Sequence, residues 1–373
     1  MDVIIQDRNK LPVLDECDVV VVGGGLSGVA AAVTTARKGM DTILIAERSY
    51  LGKEVVSSRS CILDQTDKAL SPAIKEEIIG MLQEAGGYKK DKIDVSILQL
   101  TLDRLLQGSS ARVYFLSRVS GTIVEDGAVK GVIIANKSGR QVILCDLVVD
   151  ASDGAMVARS AGVRFQSEDE FVTLRSSFVV NNSALETPVV VRVPPEMGLA
   201  DDRVYINPTL WSGELIVTFY LYGRYNPTDP RFFSAASFNS MRKVFEIMNY
   251  LKGNVPGFEN AMLTGTSDEP LFLNGPRIVG QDTVTFQNAI TEHIVPPGVG
   301  CAVTYMEDMN EETALFYIPY GCLRPRGLRG ILVCSPHISV DQVIQPFLYQ
   351  FSNAIQLGED AGRFITGVLR RGG

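Results

Sequence analysis

The stretch Val19–Val33, VVVVGGGLSGVAAAV, joins four consecutive valines, a glycine-rich turn and a run of small apolar residues. Four valines in a row are typical of a strand buried on both faces of a parallel sheet, and the residues that follow are typical of a helix packed against it. Gly23, Gly25 and Gly28 fit the pattern G-x-G-x-x-G. In that pattern the glycines allow a tight turn, the approach of a pyrophosphate to the backbone, and close packing of helix on strand. The stretch therefore predicts a dinucleotide-binding βαβ unit.

An acidic residue follows the second predicted strand of this unit. The strand is expected over residues 42–46, and Glu47 comes directly after it, nineteen residues beyond Gly28. A carboxylate at this place accepts hydrogen bonds from an adenosine ribose and repels a 2′-phosphate. The sequence therefore favours FAD or NAD over NADP. The alternative is a doubly wound sheet whose crevice binds no nucleotide.

Composition excludes several other classes of protein. The 373 residues are 46% hydrophobic, which suits a large core and two lobes, and the net charge of −8 argues against a nucleic acid or an anionic membrane as partner. No apolar run reaches the roughly 18 residues of a membrane-spanning helix, and no secretion signal is recognised. The six cysteines form no C-x-x-C pair, which suits a reducing cytoplasm. With only two histidines, a histidine-based metal site is not expected.

A strand meander favours FAD over NAD. Two helices are predicted at 72–84 and 93–106, and the segment 121–152, GTIVEDGAVKGVIIANKSGRQVILCDLVVDAS, predicts strands joined by hairpin turns at EDGA and KSGR. A meander inserted before the last strand of the nucleotide sheet is typical of FAD-binding domains. No second G-x-G-x-x-G follows, so no separate NAD(P)H domain is expected.

With these segments the chain resembles the FAD-dependent oxidoreductases of the glutathione-reductase-like superfamily, and within it a bacterial branch with a single FAD domain and an inserted substrate lobe. Residues 11–32, 131–163, 255–263, 275–285 and 316–334 carry the resemblance, the last as FYIPYGCLRPRGLRGILVC. It implies an α/β fold: a Rossmann-like FAD-binding domain of three-layer β-β-α architecture with an inserted, mainly antiparallel β substrate domain. The implied boundaries are 1–163 and 313–373 for the FAD-binding domain and 164–312 for the insert.

The resemblance also implies a function and a set of site residues. The expected cofactor is FAD, the expected reaction is hydride transfer between flavin and an unidentified small-molecule substrate, and the chain could form a homo-oligomer or pair with a paralogous subunit. His337 would lie near the flavin pyrimidine and His293 in the substrate lobe, as candidate catalytic residues, although each could be an ordinary loop histidine. The cofactor-binding residues implied are Gly23, Gly25, Leu26, Ser27, Gly28, Glu47, Arg48, Lys53, Val119, Ala151, Ser152, Asp153, Ser335, His337 and Ile338.

Four departures from the family pattern fall near the expected flavin. Where the family has a glycine pair, this chain keeps Gly52 but places Lys53 and Glu54 next, and we expect Lys53 to pair with phosphate and Glu54 to be a solvated charge turned away. The family's Asp-Ala-Thr-Gly-Asp segment is DASDGAM, its IPYR is IPYG, and its Ala-Gly-Arg is Cys-Ser-Pro before His337. These departures keep open an alternative function, a non-catalytic or degenerate paralogue that acts as a partner subunit and binds flavin weakly or not at all.

The chain closes with a predicted helix from about residue 339, with Asp341 near its N-terminus. Gly358, Ala361 and Gly362 match a face of small residues in the family, and the resemblance implies that this face packs closely on the first nucleotide helix.

Overall fold

The computed structural model describes residues 10–166, 171–224, 230–291, 296–307 and 310–372. His293 lies outside these ranges. The first part of the chain alternates strands and helices. Its strands are β1 (Val13–Val22), β2 (Thr42–Ile45), β3 (Tyr88–Lys89), β4 (Lys92–Ile93), β5 (Arg112–Tyr114), β6 (Arg118–Glu125), β7 (Ala128–Asn136) and β8 (Gly139–Asp150). Its helices are α1 (Leu26–Arg37), α2 (Lys53–Val56), α3 (Gln65–Ala69), α4 (Ala73–Glu84), α5 (Val95–Gln107) and α6 (Met156–Ser160).

The second part holds most of the remaining strands. Its elements are β9 (Phe171–Asn181), β10 (Val189–Arg192), β11 (Arg203–Pro208), β12 (Leu215–Arg224), α7 (Pro230–Asn254), β13 (Met262–Thr266), β14 (Leu271–Phe272), α8 (Phe286–Thr291), β15 (Val299–Glu307) and β16 (Asn310–Ile318). The chain then returns to the first part through β17 (Ile331–Val333) and ends in α9 (Phe351–Gly372).

One seven-stranded sheet organises the first part. Its strands β5, β2, β1, β8 and β17 are parallel neighbours in that order. The long β8 also pairs antiparallel with β7, and β7 with β6, which is the predicted meander. Val19–Val22 at the end of β1 are at most 4% exposed, as a central parallel strand requires. The Rossmann-like FAD-binding architecture expected from the sequence is confirmed.

The inserted part is an antiparallel sheet, as predicted. Strands β10, β11, β12, β9 and β13 are neighbours in that order, and β14 also pairs with β9. Helix α7 covers one face of this sheet, where Val244, Ile247 and Leu251 pack with Phe178 and Phe219 in a second hydrophobic core. The residue boundaries of the two domains stay a prediction.

Helix α9 packs along α1 through the small residues that the sequence indicated. A Cβ on Gly358 would lie 2.0 Å from the Ser27 carbonyl oxygen, and one on Gly362 would lie 2.8 Å from Thr34 Cβ. These distances are far below van der Waals contact, so α9 can approach α1 this closely only with glycine at these places.

The predicted start of this closing helix near residue 339 is wrong, because α9 begins at Phe351. Asp341 donates its backbone N–H to the Val284 carbonyl oxygen at 2.8 Å, so that group serves a tertiary contact. Pro346, which has no N–H to donate, lies in a short 3₁₀ turn over 345–349. In the parts of the chain that the structure describes, no helix is long and apolar enough to cross a membrane.

Candidate functional site

The carboxyl ends of β1, β2 and β8 open into a cleft of about 450 Å³. Ligands of doubly wound sheets bind at this edge. The inserted part contributes Phe233, Asn274 and Gly275 to the opposite wall. Eleven of the predicted cofactor-binding residues line the cleft: Gly23, Gly25, Glu47, Arg48, Lys53, Val119, Ala151, Ser152, Asp153, Ser335 and His337.

The other four predicted residues are buried next to the cleft. Leu26, Ser27 and Gly28 form the first turn of α1. Ile338, the residue after His337, is fully buried. The side chains of Leu26 and Ile338 belong to the hydrophobic core. Of the first three, the backbone N–H groups at the start of α1 are the part that can contact an anion.

The glycine loop has the close contacts that its sequence predicts. Gly23 has a φ of +116°, and a Cβ there would lie 2.2 Å from the Ala151 carbonyl oxygen. A Cβ on Gly28 would lie 1.9 Å from the Gly23 carbonyl oxygen. Any side chain at either position would push α1 or the loop after β8 away, so both glycines are needed for the turn and for the close packing of α1.

Gly25 has a different neighbour. A Cβ on Gly25 would lie 2.2 Å from Glu54 Oε1, and Glu54 Oε2 accepts a 2.9 Å hydrogen bond from the Leu26 backbone N–H. The Glu54 carboxylate therefore occupies the N-terminus of α1, where a pyrophosphate would be bound in this fold. It is only 9% exposed, and burial raises its pKa.

The prediction that Glu54 is a solvated charge turned away from the site is wrong. The reason lies in the turn before α2. Gly52 has a left-handed conformation, φ +75°, and its N–H donates to the Gly24 carbonyl oxygen at 2.8 Å. This bond holds the start of α2 against the glycine loop, and it directs Glu54 into the cleft.

Lys53 is buried and paired within the chain. Its ammonium forms an ion pair with Asp153 and lies 3.8 Å from Glu269 Oε2. Burial acts to lower the pKa of Lys53, but the two carboxylates outweigh it and leave the pKa raised. Burial likewise opposes ionisation of Asp153, but Lys53 and then His337 hold its pKa well below the usual range. Lys53, which the sequence predicted to pair with a phosphate, is thus paired with the Asp153 carboxylate.

The ion pair of Lys53 belongs to a chain of alternating charges along the cleft wall. Arg48 binds Glu269, and the Nε2 atom of His337 lies 3.8 Å from Asp153 Oδ1 at the other end. Glu269 comes from the inserted part, and the sequence analysis missed it because no local motif surrounds it. We name Arg48, Glu269, Lys53, Asp153 and His337 the cleft charge chain.

His337 is held by its other ring nitrogen. Nδ1 lies 2.7 Å from the Pro276 carbonyl oxygen, which can only accept, so Nδ1 carries the proton. Nε2 and the hydroxyl oxygen of Ser335 are buried atoms without a hydrogen-bond partner among the described residues, and both residues line the cleft. Buried polar atoms of this kind cost free energy unless a ligand or water pairs with them. The cleft therefore offers two hydrogen-bonding groups that have no partner among the described residues.

Glu47 lines the cleft at the carboxyl end of β2. It follows β2, its side chain is 59% exposed, and its carboxylate lies 3.9 Å from Arg118 Nε. Val119 of β6 and Ser152 line the cleft beside it. Asp150 orders the loop after β8, since its carboxylate accepts hydrogen bonds from the backbone N–H groups of Ser152 and Ala158.

These observations test whether the residues suit FAD. The tight glycine turn and the accessible acid after β2 suit the adenosine half of FAD. The two unpartnered buried polar atoms suit the flavin half. The Glu54 carboxylate, in contrast, occupies the N-terminus of α1, where this fold binds a pyrophosphate. The residues fit the cofactor once that side chain moves.

The sequence profile of the FAD dependent oxidoreductase family matches residues 18–346 of the chain. The chain is also similar to curated reductases over part of its length. It is 26% identical over 187 residues to digeranylgeranylglycerophospholipid reductase 1 of Methanococcoides burtonii, covering 45% of each chain. It is 30% identical over 166 residues to digeranylgeranylglycerophospholipid reductase of Methanocella arvoryzae, covering 40% of this chain and 42% of that one. The chain thus spans less than half the length of these relatives.

Solved structures share the fold across nearly the whole chain. A geranylgeranyl bacteriochlorophyll reductase-like protein from Thermoplasma acidophilum superposes with a TM-score of 0.55 at 14% identity, covering 96% of this chain and 80% of that one. The p-nitrophenol 4-monooxygenase of Pseudomonas putida superposes with a TM-score of 0.59 at 11% identity, covering 96% and 82%. At such low identity the likeness shows the fold alone.

Proposed function

Because the chain belongs to the FAD dependent oxidoreductase family, we propose that it binds FAD in this cleft and transfers a hydride between flavin and a small organic substrate. The observation that carries the proposal is the layout of the cleft. The glycine loop and Glu47 lie at one end, and Ser335 and His337 line it with their unpartnered polar atoms. The comparisons offer no support for the alternative of a non-catalytic partner subunit.

The chain's residues would divide the work of holding the cofactor. Glu47 would accept hydrogen bonds from the ribose, the first turn of α1 would face the pyrophosphate, and Ser335 would donate or accept at the flavin. When bound, FAD supplies a ring that accepts or donates a hydride. The protein would supply position, exclusion of water and the local electric field.

His337 would hold a proton at the flavin end. Because Nδ1 is committed to the Pro276 carbonyl oxygen, Nε2 is the atom that can bind or release a proton toward the cleft. Asp153 Oδ1 lies 3.8 Å from Nε2 on the same side of the ring. His337 is therefore our candidate for the group that stabilises negative charge beside the flavin. His293, outside the described residues, stays a candidate in the inserted part.

The substrate class follows from relatives only as a first choice to test. The curated relatives are named as reductases of digeranylgeranylglycerophospholipid, so an isoprenoid carbon–carbon double bond is the first substrate to assay. A cytoplasmic location and either self-association or a paralogous partner complete the proposal. The six cysteines, all buried free thiols, are compatible with a reducing compartment.

The test is a single-turnover assay. The protein is reconstituted with FAD, reduced anaerobically with one equivalent of dithionite, and mixed with a geranylgeranyl lipid or a panel of small oxidised substrates. Reoxidation of the flavin spectrum by one compound, slowed in His337→Ala, is the expected result. A protein that retains FAD but is reoxidised by none of them would refute catalysis on this panel, and a protein that retains no FAD would refute the proposal as a whole.

A further inference from the structure

Glu54 makes two contacts that a bound pyrophosphate would otherwise make. Its carboxylate accepts the Leu26 N–H at 2.9 Å, and it fills the space above Gly25 that the absence of a Cβ leaves open. The N-terminus of a helix attracts anions through its free N–H groups and the helix dipole. In this chain a side chain of the same polypeptide is the anion.

The ammonium group of the neighbouring Lys53 is likewise bound to carboxylates of the chain. Lys53, next to Glu54, is paired with Asp153 and lies near Glu269. Both features that would attract the phosphates, the start of α1 and the Lys53 ammonium, are thus bound to carboxylates of the chain. These positive groups are therefore already paired with negative groups of the chain when no ligand is bound.

We propose that Glu54 and Asp153 are built-in competitors of the cofactor pyrophosphate, so that binding requires Glu54 to leave the N-terminus of α1 and Lys53 to exchange Asp153 for phosphate. This inference rests on the proposed function, since it concerns the same cleft. It makes cofactor affinity a property that the chain itself sets through residue 54.

Electrostatic repulsion explains why the Glu54 carboxylate and a pyrophosphate cannot both occupy the N-terminus of α1. Two negative groups within about 4 Å of each other in a cleft shielded from water repel strongly. Glu54 is held in place by α2, which is tied to the glycine loop through Gly52, and by β9, whose Arg175 donates to the Glu54 carbonyl oxygen at 3.1 Å. Release of Glu54 is therefore a side-chain rotation, because these contacts hold its backbone.

The competition depends on pH with a defined sign. The charged groups that face Glu54 are Lys53 on α2, Asp153 after β8 and Arg175 on β9. Burial raises the pKa of Glu54, whereas Lys53 holds the pKa of Asp153 far down. As pH falls, Glu54 is therefore neutralised first while Asp153 keeps its charge, and affinity for the pyrophosphate should rise.

The experiment measures the dissociation constants of ADP and FAD, by isothermal titration calorimetry, for the full chain and three variants. Glu54→Gln removes the charge and Glu54→Ala removes the side chain. Glu77→Gln is the matched control, since it removes the same charge from an exposed ion pair with Arg37 at the far end of α1. We expect ADP and FAD to bind roughly tenfold tighter to both Glu54 variants and unchanged to Glu77→Gln. Affinity should rise on acidification in the wild type more than in Glu54→Gln, because burial raises the pKa of Glu54.

The two ligands distinguish the two failures. ADP needs the glycine loop, the pyrophosphate position and Glu47 at the ribose, but none of the contacts to a flavin ring. Tighter ADP binding to the Glu54 variants without FAD binding would support the competition and refute the proposed flavin function. FAD binding that is equal in the wild type and both Glu54 variants would refute the competition and leave the proposed function standing. A chain that binds neither ligand in any form would overturn both.

Discussion

Gly358→Ala tests the packing that holds the nucleotide loop in place. Gly358 lies on α9 opposite the first turn of α1, and an added Cβ would meet the Ser27 carbonyl oxygen at 2.0 Å and Ala30 Cβ at 2.8 Å. The backbone atom cannot rotate away. Restoring ordinary contact distances of at least about 3.4 Å requires the helices to separate locally by more than an ångström.

The expected cost follows from that separation. Overpacking of a well-packed core costs about 1–3 kcal/mol, and this contact belongs at the upper end because the obstacle is backbone. The matched control is Gly367→Ala in the same helix, where a Cβ meets nothing within 4 Å. That change should stabilise by about 0.5–1 kcal/mol, since alanine favours a helix over glycine. The two variants should differ by at least about 2 kcal/mol.

Urea unfolding followed by far-ultraviolet circular dichroism measures the difference, with the two variants and the wild type analysed at a common slope. Gly358→Ala should also bind ADP more weakly, because Ser27 lies in the turn that faces the pyrophosphate. If Gly358→Ala unfolds at the same urea concentration as Gly367→Ala, the close approach of α9 to α1 is refuted.

Two further changes test other parts of the structure. Glu47→Ala should weaken FAD binding about tenfold while leaving the urea midpoint unchanged, because its carboxylate is exposed at the end of β2 and would bind the ribose; unchanged affinity in calorimetry would remove the ribose role. Asp67→Asn should alter the pH dependence of stability. Burial, and then Asp64, raise the pKa of Asp67 to about 6, from 3.8 in the unfolded chain. The neutral form therefore stabilises the fold fully below the unfolded pKa, and that contribution is lost as pH rises through about 6. Relative to Asp67→Asn, the wild type should lose up to about 3 kcal/mol between pH about 4 and 7, and parallel stability curves for the two proteins would contradict this.

The sequence predicted what is local in the chain. The G-x-G-x-x-G spacing, the valine strand and Glu47 follow from contacts within one βαβ unit, so that their roles in the turn and at the end of β2 could be predicted. The same is true of the hairpin at Asp126–Gly127, where both residues have positive φ. The family resemblance, through Gly358, Ala361 and Gly362, indicated the face of α9 that packs on α1.

The middle of the site depended on contacts that the sequence does not show. A charged residue on a predicted loop is usually solvated, and nothing in the letters GKE indicates that a left-handed Gly52 bonded to Gly24 turns Glu54 inward. Asn274 reaches the cleft from the inserted part, and Glu269 contacts the cleft residues Arg48 and Lys53, although both lie more than 200 residues from the glycine loop. The late start of α9 was the one error with a local signal, Pro346.

The most direct test of the account is a fluorescence titration of FAD with the purified wild-type chain beside Glu54→Ala. The account predicts saturable quenching at one FAD per chain for both proteins, with the tighter curve for Glu54→Ala. Absence of saturable quenching in both would contradict the claim that this cleft is a flavin-nucleotide site.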